Sequence, residues 1–211
     1  MAKKIKLEKI AIEVTVLITT IVGDKLEVVM QKRSEAPLKG KLELISTNVG
    51  KAESLDDAAS RCVKEVTGLK KVEVAQLGTY GEVKRKADER VISVSYVAYV
   101  PMNTFDAKEA GVELIGVDDA IKSKNIAFDH KKMVEDLKNK LVAEIAYTDV
   151  AFKFVEEEFT LPDLQKVHEV ILNKTLFKTN FRRKIADKIE ITDYQLAGDA
   201  HRPSRLYIRK K

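Results

Sequence analysis

The N-terminal half of the chain is dominated by short apolar, β-branched runs separated by polar turns. The run at 10–22 alternates in part, the turn signal Gly-Asp-Lys follows at 23–25, and the strand pattern resumes at 26–31. Two further runs, at 72–80 and 91–100, have the same character. Runs of this length and composition, bounded by turn residues, predict four strands.

Helical periodicity follows the second predicted strand and returns later in the chain. The segment ESLDDAASRCVKEVTGL, at 53–69, predicts a helix that Ser54 or Asp56 caps and that Gly68 ends. Two more helices suit the segments 116–123 and 130–143. Strands that are interrupted by a helix and followed by more strands and helices predict an α/β body of about 145 residues.

Beyond a predicted boundary within 144–155, the pattern is that of a smaller helical unit. Thr160 is placed to cap a helix that carries Pro162 in its first turn. The apolar positions that follow keep helical spacing as far as Asn173. A separate helical element is therefore expected to start at Thr160.

A second, basic helix is expected at 179–188, and two strands at 189–196 and 206–208 flank a polar loop. Helix, turn, basic helix and hairpin is the order of a winged helix-turn-helix. The pattern therefore predicts two domains, residues 1–148 and 149–211.

Composition limits the class of protein. Charged residues make up 34% of the chain and hydrophobic ones 45%, which is a soluble, globular balance. A single cysteine, Cys62, excludes an intramolecular disulfide and indicates a reducing compartment. Charges interrupt the N-terminal apolar run, and no segment is long enough to cross a bilayer. We therefore expect a cytoplasmic protein without a membrane partner.

The net charge of +5 is unevenly distributed. Residues 174–211 carry eleven Lys and Arg side chains against four acidic ones, a net charge of +7, which leaves −2 for the rest of the chain. A basic module on a nearly neutral body is typical of nucleic-acid binding, because Lys and Arg displace phosphate counterions. The alternative from charge alone is a solvated basic surface.

The basic residues concentrate where a recognition helix presents its first turns to the major groove. Arg and Lys can read guanine, Asn can read adenine, and Lys or Thr can bind phosphates. Phe181, Ile185 and Ile189 fall on the opposite, apolar face and are expected in the core. The predicted DNA contacts are Lys178, Thr179, Asn180, Arg182, Arg183 and Lys184 in the helix, with Arg202 and Arg205 in the hairpin.

The helix at 53–69 carries part of a pattern for phosphate-cleaving chemistry. That pattern, the Nudix signature, is Gly, five residues, Glu, seven residues, then Arg-Glu-apolar-any-Glu-Glu-any-Gly-apolar. Carboxylates one helical turn apart hold Mg²⁺ against a diphosphate and activate water. Six of the nine defined positions match, namely Glu53, Arg61, Val63, Glu65, Gly68 and Leu69.

Three positions of the signature are substituted. Thr47 stands in place of Gly, and Cys62 and Val66 each stand in place of Glu, so that only Glu65 remains from the metal-binding set. A lone carboxylate binds Mg²⁺ poorly. We therefore expect no catalytic residue, no bound metal, no cofactor and no useful rate of hydrolysis. An ordinary acidic amphipathic helix is the alternative interpretation of this short motif.

Longer stretches extend the likeness. The segments 31–69, 78–101 and 128–137 resemble the Nudix core of Nudix-related transcriptional regulators, and FTLPDLQKVHEVILNKTLFKTNFRRKIADK, at 159–188, resembles the C-terminal winged helix of that family. The resemblance implies an α/β fold, a Nudix-like α/β/α sandwich with a C-terminal winged helix-turn-helix domain. It also implies a dimeric bacterial DNA-binding regulator whose Nudix domain senses ADP-ribose or a sugar such as arabinose. Many members have lost hydrolase activity.

The chain departs from the family at the loop that reads Leu-Pro-Gly-Gly-Phe-Val in other members. Here residues 44–49 are LISTNV, and Leu42 replaces a Trp. The loss of both glycines removes the close approach of backbone to a diphosphate. The expected ligand is therefore either ADP-ribose or a smaller or different molecule.

Four residues are candidates for contacts with this ligand. Arg33 and Arg90 match family positions near the pocket and suit an anionic or polyhydroxyl ligand. Glu43 and Glu65 can accept hydrogen bonds from sugar hydroxyls. Surface ion pairs and exposed loop acids are the alternatives for all four. His130 is either a general base or a packing residue at a helix start.

The sequence as a whole predicts a ligand-responsive transcription regulator, either a repressor or an activator. Its expected partners are double-stranded operator DNA, a second copy of the chain in a homodimer, and a sugar or ADP-ribose-like effector. One alternative is a Nudix-type hydrolase of a nucleoside diphosphate derivative. Another is a non-catalytic module whose basic tail binds protein or RNA.

Overall fold

The computed structural model describes residues 9–70, 72–86, 89–101, 104, 106–196 and 204–210. The larger part of the chain forms a six-stranded mixed sheet with helices on both faces, and the C-terminal part contains two helices and a two-stranded hairpin. The strands are β1 (Ala11–Val22), β2 (Lys25–Lys32), β3 (Leu42–Asn48), β4 (Val74–Tyr80), β5 (Val91–Tyr99), β6 (Glu113–Gly116), β7 (Ile189–Leu196) and β8 (Ser204–Arg209). The helices are α1 (Leu55–Thr67), α2 (Val117–Lys122), α3 (His130–Glu144), α4 (Leu161–Leu172) and α5 (Lys178–Ile185), with 3-10 helices at Val150–Phe154 and Ala186–Lys188.

Strand β1 organises the sheet, whose order is β4-β5-β1-β3-β2-β6. It runs parallel to β5 and antiparallel to β2 and β3. Its alternate residues face opposite layers, so Val16 packs on the side of α1 while Leu17 packs on the side of α3. The predicted α/β/α sandwich is confirmed.

Local signals set the ends of α1 as the sequence predicts. The Ser54 hydroxyl accepts a hydrogen bond from the Asp57 amide, and Gly68 ends the helix in the left-handed conformation with φ 71°. Asp56, the alternative cap, instead accepts a hydrogen bond of 2.5 Å from the Tyr96 hydroxyl. Ser54 is therefore the N-cap.

The winged-helix part shares its core with the α/β body. Thr160 and Asp163 form a reciprocal capping box at the start of α4, which ends at Asn173 with φ 48°. The buried face of α4 joins the same apolar cluster as α3 and as the inner face of α5. The expected burial of Phe181, Ile185 and Ile189 is confirmed.

Two strands were not predicted. Residues 44–49 were interpreted as a loop, but β3 extends to Asn48 because it lies between β1 and β2 and pairs with both. Strand β6 has only four residues and, within the described part of the chain, pairs with β2 alone. Both strands depend on pairing with distant segments, which no local pattern reveals.

No helix in the described part of the chain has the length and apolar character needed to span a membrane.

Candidate ligand pocket and nucleic-acid interface

Two residues that match the signature, Glu53 and Arg61, form a closed set of contacts. Arg61 donates to both carboxylate oxygens of Glu53, at 2.7 and 3.0 Å, and to the Thr47 hydroxyl at 3.2 Å. Hydrogen bonds from Arg61 and from the Gly50 amide lower the pKa of Glu53 to about 2. Glu53 and Arg61 therefore tie the preceding loop to α1, which is a structural role.

The substituted positions do not fit a magnesium ion. Cys62 is 2% exposed and packs in the apolar cluster under α1, where burial raises the pKa of its thiol to about 11. Val66 packs against the same cluster, and exposed Glu65 lies 3.5 Å from Arg61. Within the described residues, no three His, Cys, Asp or Glu side chains are grouped to hold a metal. Magnesium needs several oxygen ligands, so no hydrolytic step is assigned to this site.

A cavity of about 460 Å³ lies beside Phe128. The Arg33 guanidinium is 4.9 Å from the centroid of this ring, and the Lys86 ammonium is 5.3 Å from it. Leu38 and Phe128 both line the cavity and have positive φ, 66° and 52°, which only one other non-glycine residue among those described shares. Backbone strain of this kind clusters at ligand sites.

A buried ionic network lies next to the ring. Arg85, with a side chain only 1% exposed, donates to Glu13 at 2.8 Å and to both carboxylate oxygens of Asp129 at 2.8 and 3.0 Å. Lys86 donates to the second oxygen of Glu13 at 2.6 Å. Burial alone would raise the pKa of Glu13, but the hydrogen bonds from Lys86 and Arg85 outweigh it, so the pKa is lowered. Glu13 is thus held as a carboxylate between two cations.

Two of the four predicted ligand residues lie together. Arg33 donates to Glu43 at 2.9 Å and to the Pro37 carbonyl at 2.6 Å, and its guanidinium lies over the Phe128 ring. Glu65 is held near Arg61, and Arg90 donates to the Glu82 carbonyl at 3.0 Å. No contact recorded among the described residues joins Glu65 or Arg90 to the other two. The sequence missed Phe128, Arg85 and Lys86, although the charged loop at 81–90 was a visible signal.

His130 has a packing role. Its Nδ1 accepts a hydrogen bond of 3.0 Å from the Leu44 amide, which joins the start of α3 to β3. Burial lowers its pKa to about 4, so the ring is neutral near pH 7 and carries its proton on Nε2. Of the two roles considered for His130, packing is the one that these contacts support.

The exposed face of α5 is polar and basic. All six side chains predicted to contact DNA in this helix are exposed, whereas Phe181 and Ile185 are buried. Within the part of the chain that the structure describes, Arg182, Arg183 and Lys184 have no acidic partner. The exposed side chain of Arg205 lines one groove with Arg182, and Arg202 lies outside the described residues. The arrangement leaves several cations available to a polyanion.

Other cations of the winged helix are paired with acids. Lys188 and Arg209 both donate to Asp149, at 2.8 and 2.7 Å. Lys153 pairs with Glu73 at 2.8 Å, and Lys166 pairs with Asp24. These pairs connect the winged helix to the linker and the α/β body, so they serve the fold, whereas Arg182, Arg183 and Lys184 of α5 have no acidic partner among the described residues.

His168 lies between α4 and α5, with its ring 5.2 Å from that of Phe181. Burial lowers its pKa to about 4, and Lys184 and Lys188 contribute. The unfolded chain binds a proton at His168 more readily than the folded protein does. The stability that the neutral, buried ring provides is therefore fully present above pH 6.5 and is lost as the pH falls towards 4.

We expect His168→Gln to reduce the slope of unfolding free energy against pH in this window by up to about 1.4 kcal/mol per pH unit. Urea unfolding at pH 7.5, 6 and 5 measures it, and equal slopes would contradict it.

Comparisons with known proteins agree with both parts of the chain. Residues 11–137 match the NUDIX domain, and residues 151–208 match the NrtR DNA-binding winged helix domain. The chain is 27% identical to the ADPR responsive transcriptional repressor NtrR of Acinetobacter baylyi, over 87% of this chain and 75% of the relative. It is 28% identical to the ADP-ribose pyrophosphatase of Methanocaldococcus jannaschii, over 64% and 79% respectively. The crystal structure of Shewanella oneidensis NrtR complexed with a 27mer DNA superimposes with a TM-score of 0.84 and 28% identity, covering 94% of this chain and 93% of that one.

Proposed function

Because this chain belongs to the family of Nudix-related transcriptional regulators, we propose that it represses transcription by binding duplex DNA through α5 and the β7–β8 hairpin. The exposed face of α5 carries this proposal. Arg182, Arg183 and Lys184 lie there without acidic partners in the described structure, while Phe181 and Ile185 anchor the helix from behind. A helix so anchored can enter the major groove without disturbing the core.

The proposed DNA contacts fall into two classes. Lys178 and Thr179, in the first turn of α5, suit phosphates. Asn180, Arg182 and Arg183 suit base edges, because Asn pairs with adenine and Arg with guanine. Lys184 and the hairpin residues Arg202 and Arg205 add charge around them.

We propose that the effector occupies the cavity beside Phe128 and is ADP-ribose or a related nucleoside diphosphate sugar. Lys41 and Lys84 in the lining suit phosphates, and Arg33 and Lys86 over the Phe128 ring add positive charge beside the cavity. Arg33 and Glu43 would orient hydroxyl groups. The names of both curated relatives, which refer to ADP-ribose, support the same class of ligand. A simple sugar such as arabinose is the alternative.

The proposed response is a change in the placement of α5 within a homodimer. The apolar cluster that includes α3, α4 and α5 is continuous, and Lys166–Asp24 and Lys153–Glu73 connect the winged helix to the body. A ligand that favours one arrangement of these contacts changes the spacing of two recognition helices, and thereby the affinity for a two-fold operator.

We also propose that the Nudix domain is not catalytic. Cys62 and Val66 are packed as apolar residues, and Glu65 alone cannot complete a magnesium site. Incubation with ADP-ribose and Mg²⁺, beside an active Nudix hydrolase as a control, is expected to yield no AMP. Product formation that disappears in Glu65→Gln would contradict this proposal.

The test of the regulator is fluorescence anisotropy with DNA from upstream of its own operon, at several salt concentrations. We expect binding to duplex but not to single strands, an affinity that falls steeply with salt, and a shift of at least about fivefold on adding the correct effector. ADP-ribose and arabinose are compared directly. Absence of binding to every upstream duplex at low salt contradicts the DNA-binding proposal, and unchanged affinity with both compounds contradicts the proposed effectors.

A further inference from the structure

Phe177 is a large aromatic residue that the folded chain leaves in solvent. Its side chain is 82% exposed, although it directly follows Leu176, which packs against the core. Its own carbonyl accepts the hydrogen bond from the Phe181 amide that begins α5. The backbone of Phe177 is therefore fixed at the helix start, and its ring stands outside the protein.

The fold gains little from a phenylalanine at this position. Phe177 is the N-cap of α5, where Ser, Thr, Asn or Asp would accept a hydrogen bond from the first turn, and no such side-chain bond is made. The ring is not buried either, so it contributes neither capping nor a full hydrophobic contact. Its ring therefore has no role in the fold and is available to contact a partner.

The neighbours of the ring indicate the chemistry of that partner. Lys174, Lys178, Thr179 and Asn180 lie within three residues of it in the sequence and are all exposed, so its neighbours along the chain are polar and partly cationic. Such a segment is complementary to a polyanion that also offers an apolar group. In the major groove of DNA, the apolar group on the base edges is the C5-methyl of thymine.

We propose that Phe177 packs against a thymine methyl in the major groove and is a determinant of operator sequence. This inference rests on the proposed DNA-binding function and adds an apolar contact to the polar contacts of α5. It predicts that the protein distinguishes thymine from uracil at one position in each half-site, because the two bases differ there only by the methyl group.

The experiment compares full-length protein and its Phe177→Ser and Phe177→Ala variants on operator duplexes in which single thymines are replaced by deoxyuracil. We expect the unaltered protein to lose about fourfold in affinity at the contacted position, the value of one buried methyl group. Both variants should bind the thymine operator about tenfold more weakly, for the whole ring contact. They should also be indifferent to deoxyuracil at that position.

Phe177→Ser separates this role from a structural one. Serine can cap α5. The midpoint of thermal unfolding of the Phe177→Ser variant is therefore expected to equal or exceed that of the unaltered protein, even as DNA binding weakens. Unchanged affinity of both variants overturns the inference while leaving the DNA-binding function intact. Equal weakening on thymine and deoxyuracil operators, with the methyl preference retained, also overturns it. Failure of the unaltered protein to bind any duplex overturns both proposals.

Discussion

Replacing Arg182 and Arg183 together with alanine is expected to weaken operator binding by about a hundredfold while leaving the fold unchanged. Both side chains are exposed, and neither pairs with an acid in the described structure, so their removal breaks no internal contact of that kind. A bidentate contact between arginine and guanine provides about 1–3 kcal/mol of discrimination, and two such contacts account for the loss. Anisotropy titration at fixed salt measures it.

The matched control is Lys122→Ala with Lys124→Ala. These two exposed lysines lie at and just beyond the end of α2, and their removal changes net charge by the same amount. We expect less than a threefold loss of affinity from this control, because charges remote from the groove act only through a screened long-range field. Similar losses from both pairs would show that binding depends on net charge and that α5 is not the recognition helix.

The winged helix was largely predictable because its signals are local. Thr160 was predicted to cap a helix because Pro162 follows it in the first turn. The spacing of Phe181, Ile185 and Ile189 separates a buried face from a polar one. Each of these signals lies within a few residues of the feature that it sets. The same holds for α1, for which adjacent residues predicted the end at Gly68 and limited the cap to Ser54 or Asp56, and the structure shows Ser54.

The ligand pocket was less predictable because its parts come from distant segments. Arg85 meets Glu13 across 72 positions of sequence and Asp129 across 44 positions. From the sequence, Phe128 was recognised only as the first residue of a segment that resembles the family, and no role was predicted for it. Its contact with Arg33 depends on the loop at 33–41. Periodicity and spacing cannot reveal such meetings. The resemblance placed Arg33 near the pocket, and the structure shows its contacts with Glu43 and Phe128.

The substituted and the matching positions of the Nudix signature both have structural roles in this chain. A buried glutamate at position 62 would need charged partners, whereas Cys62 and Val66 add to the apolar contact between α1 and the sheet. Glu53 and Arg61 persist because they fasten the loop to α1 whether or not a metal binds. The packing of α1 on the sheet is thus a structural role, which agrees with the proposal that the helix is not catalytic.

The buried ionic network gives the largest expected effect on stability. Arg85→Met is expected to lower the free energy of unfolding by about 3 kcal/mol, because it leaves Glu13 and Asp129 without their shared cation in a low-dielectric site. Chemical unfolding in urea at pH 7 measures the change. The same variant should weaken effector binding, since Asp129 adjoins Phe128 in the cavity lining.

Two comparisons make the prediction about Arg85 specific. Lys138→Met breaks an exposed ion pair with Asp118 and should cost less than about 1 kcal/mol, because water screens that pair. Adding Glu13→Gln to Arg85→Met should recover part of the lost stability, since it removes one of the two carboxylates left without Arg85. If Arg85→Met and Lys138→Met lower the free energy of unfolding equally, the buried network is worth no more to stability than an exposed ion pair, and the prediction is wrong. If the double variant is the sum of the single ones, Glu13 and Arg85 do not act as a pair.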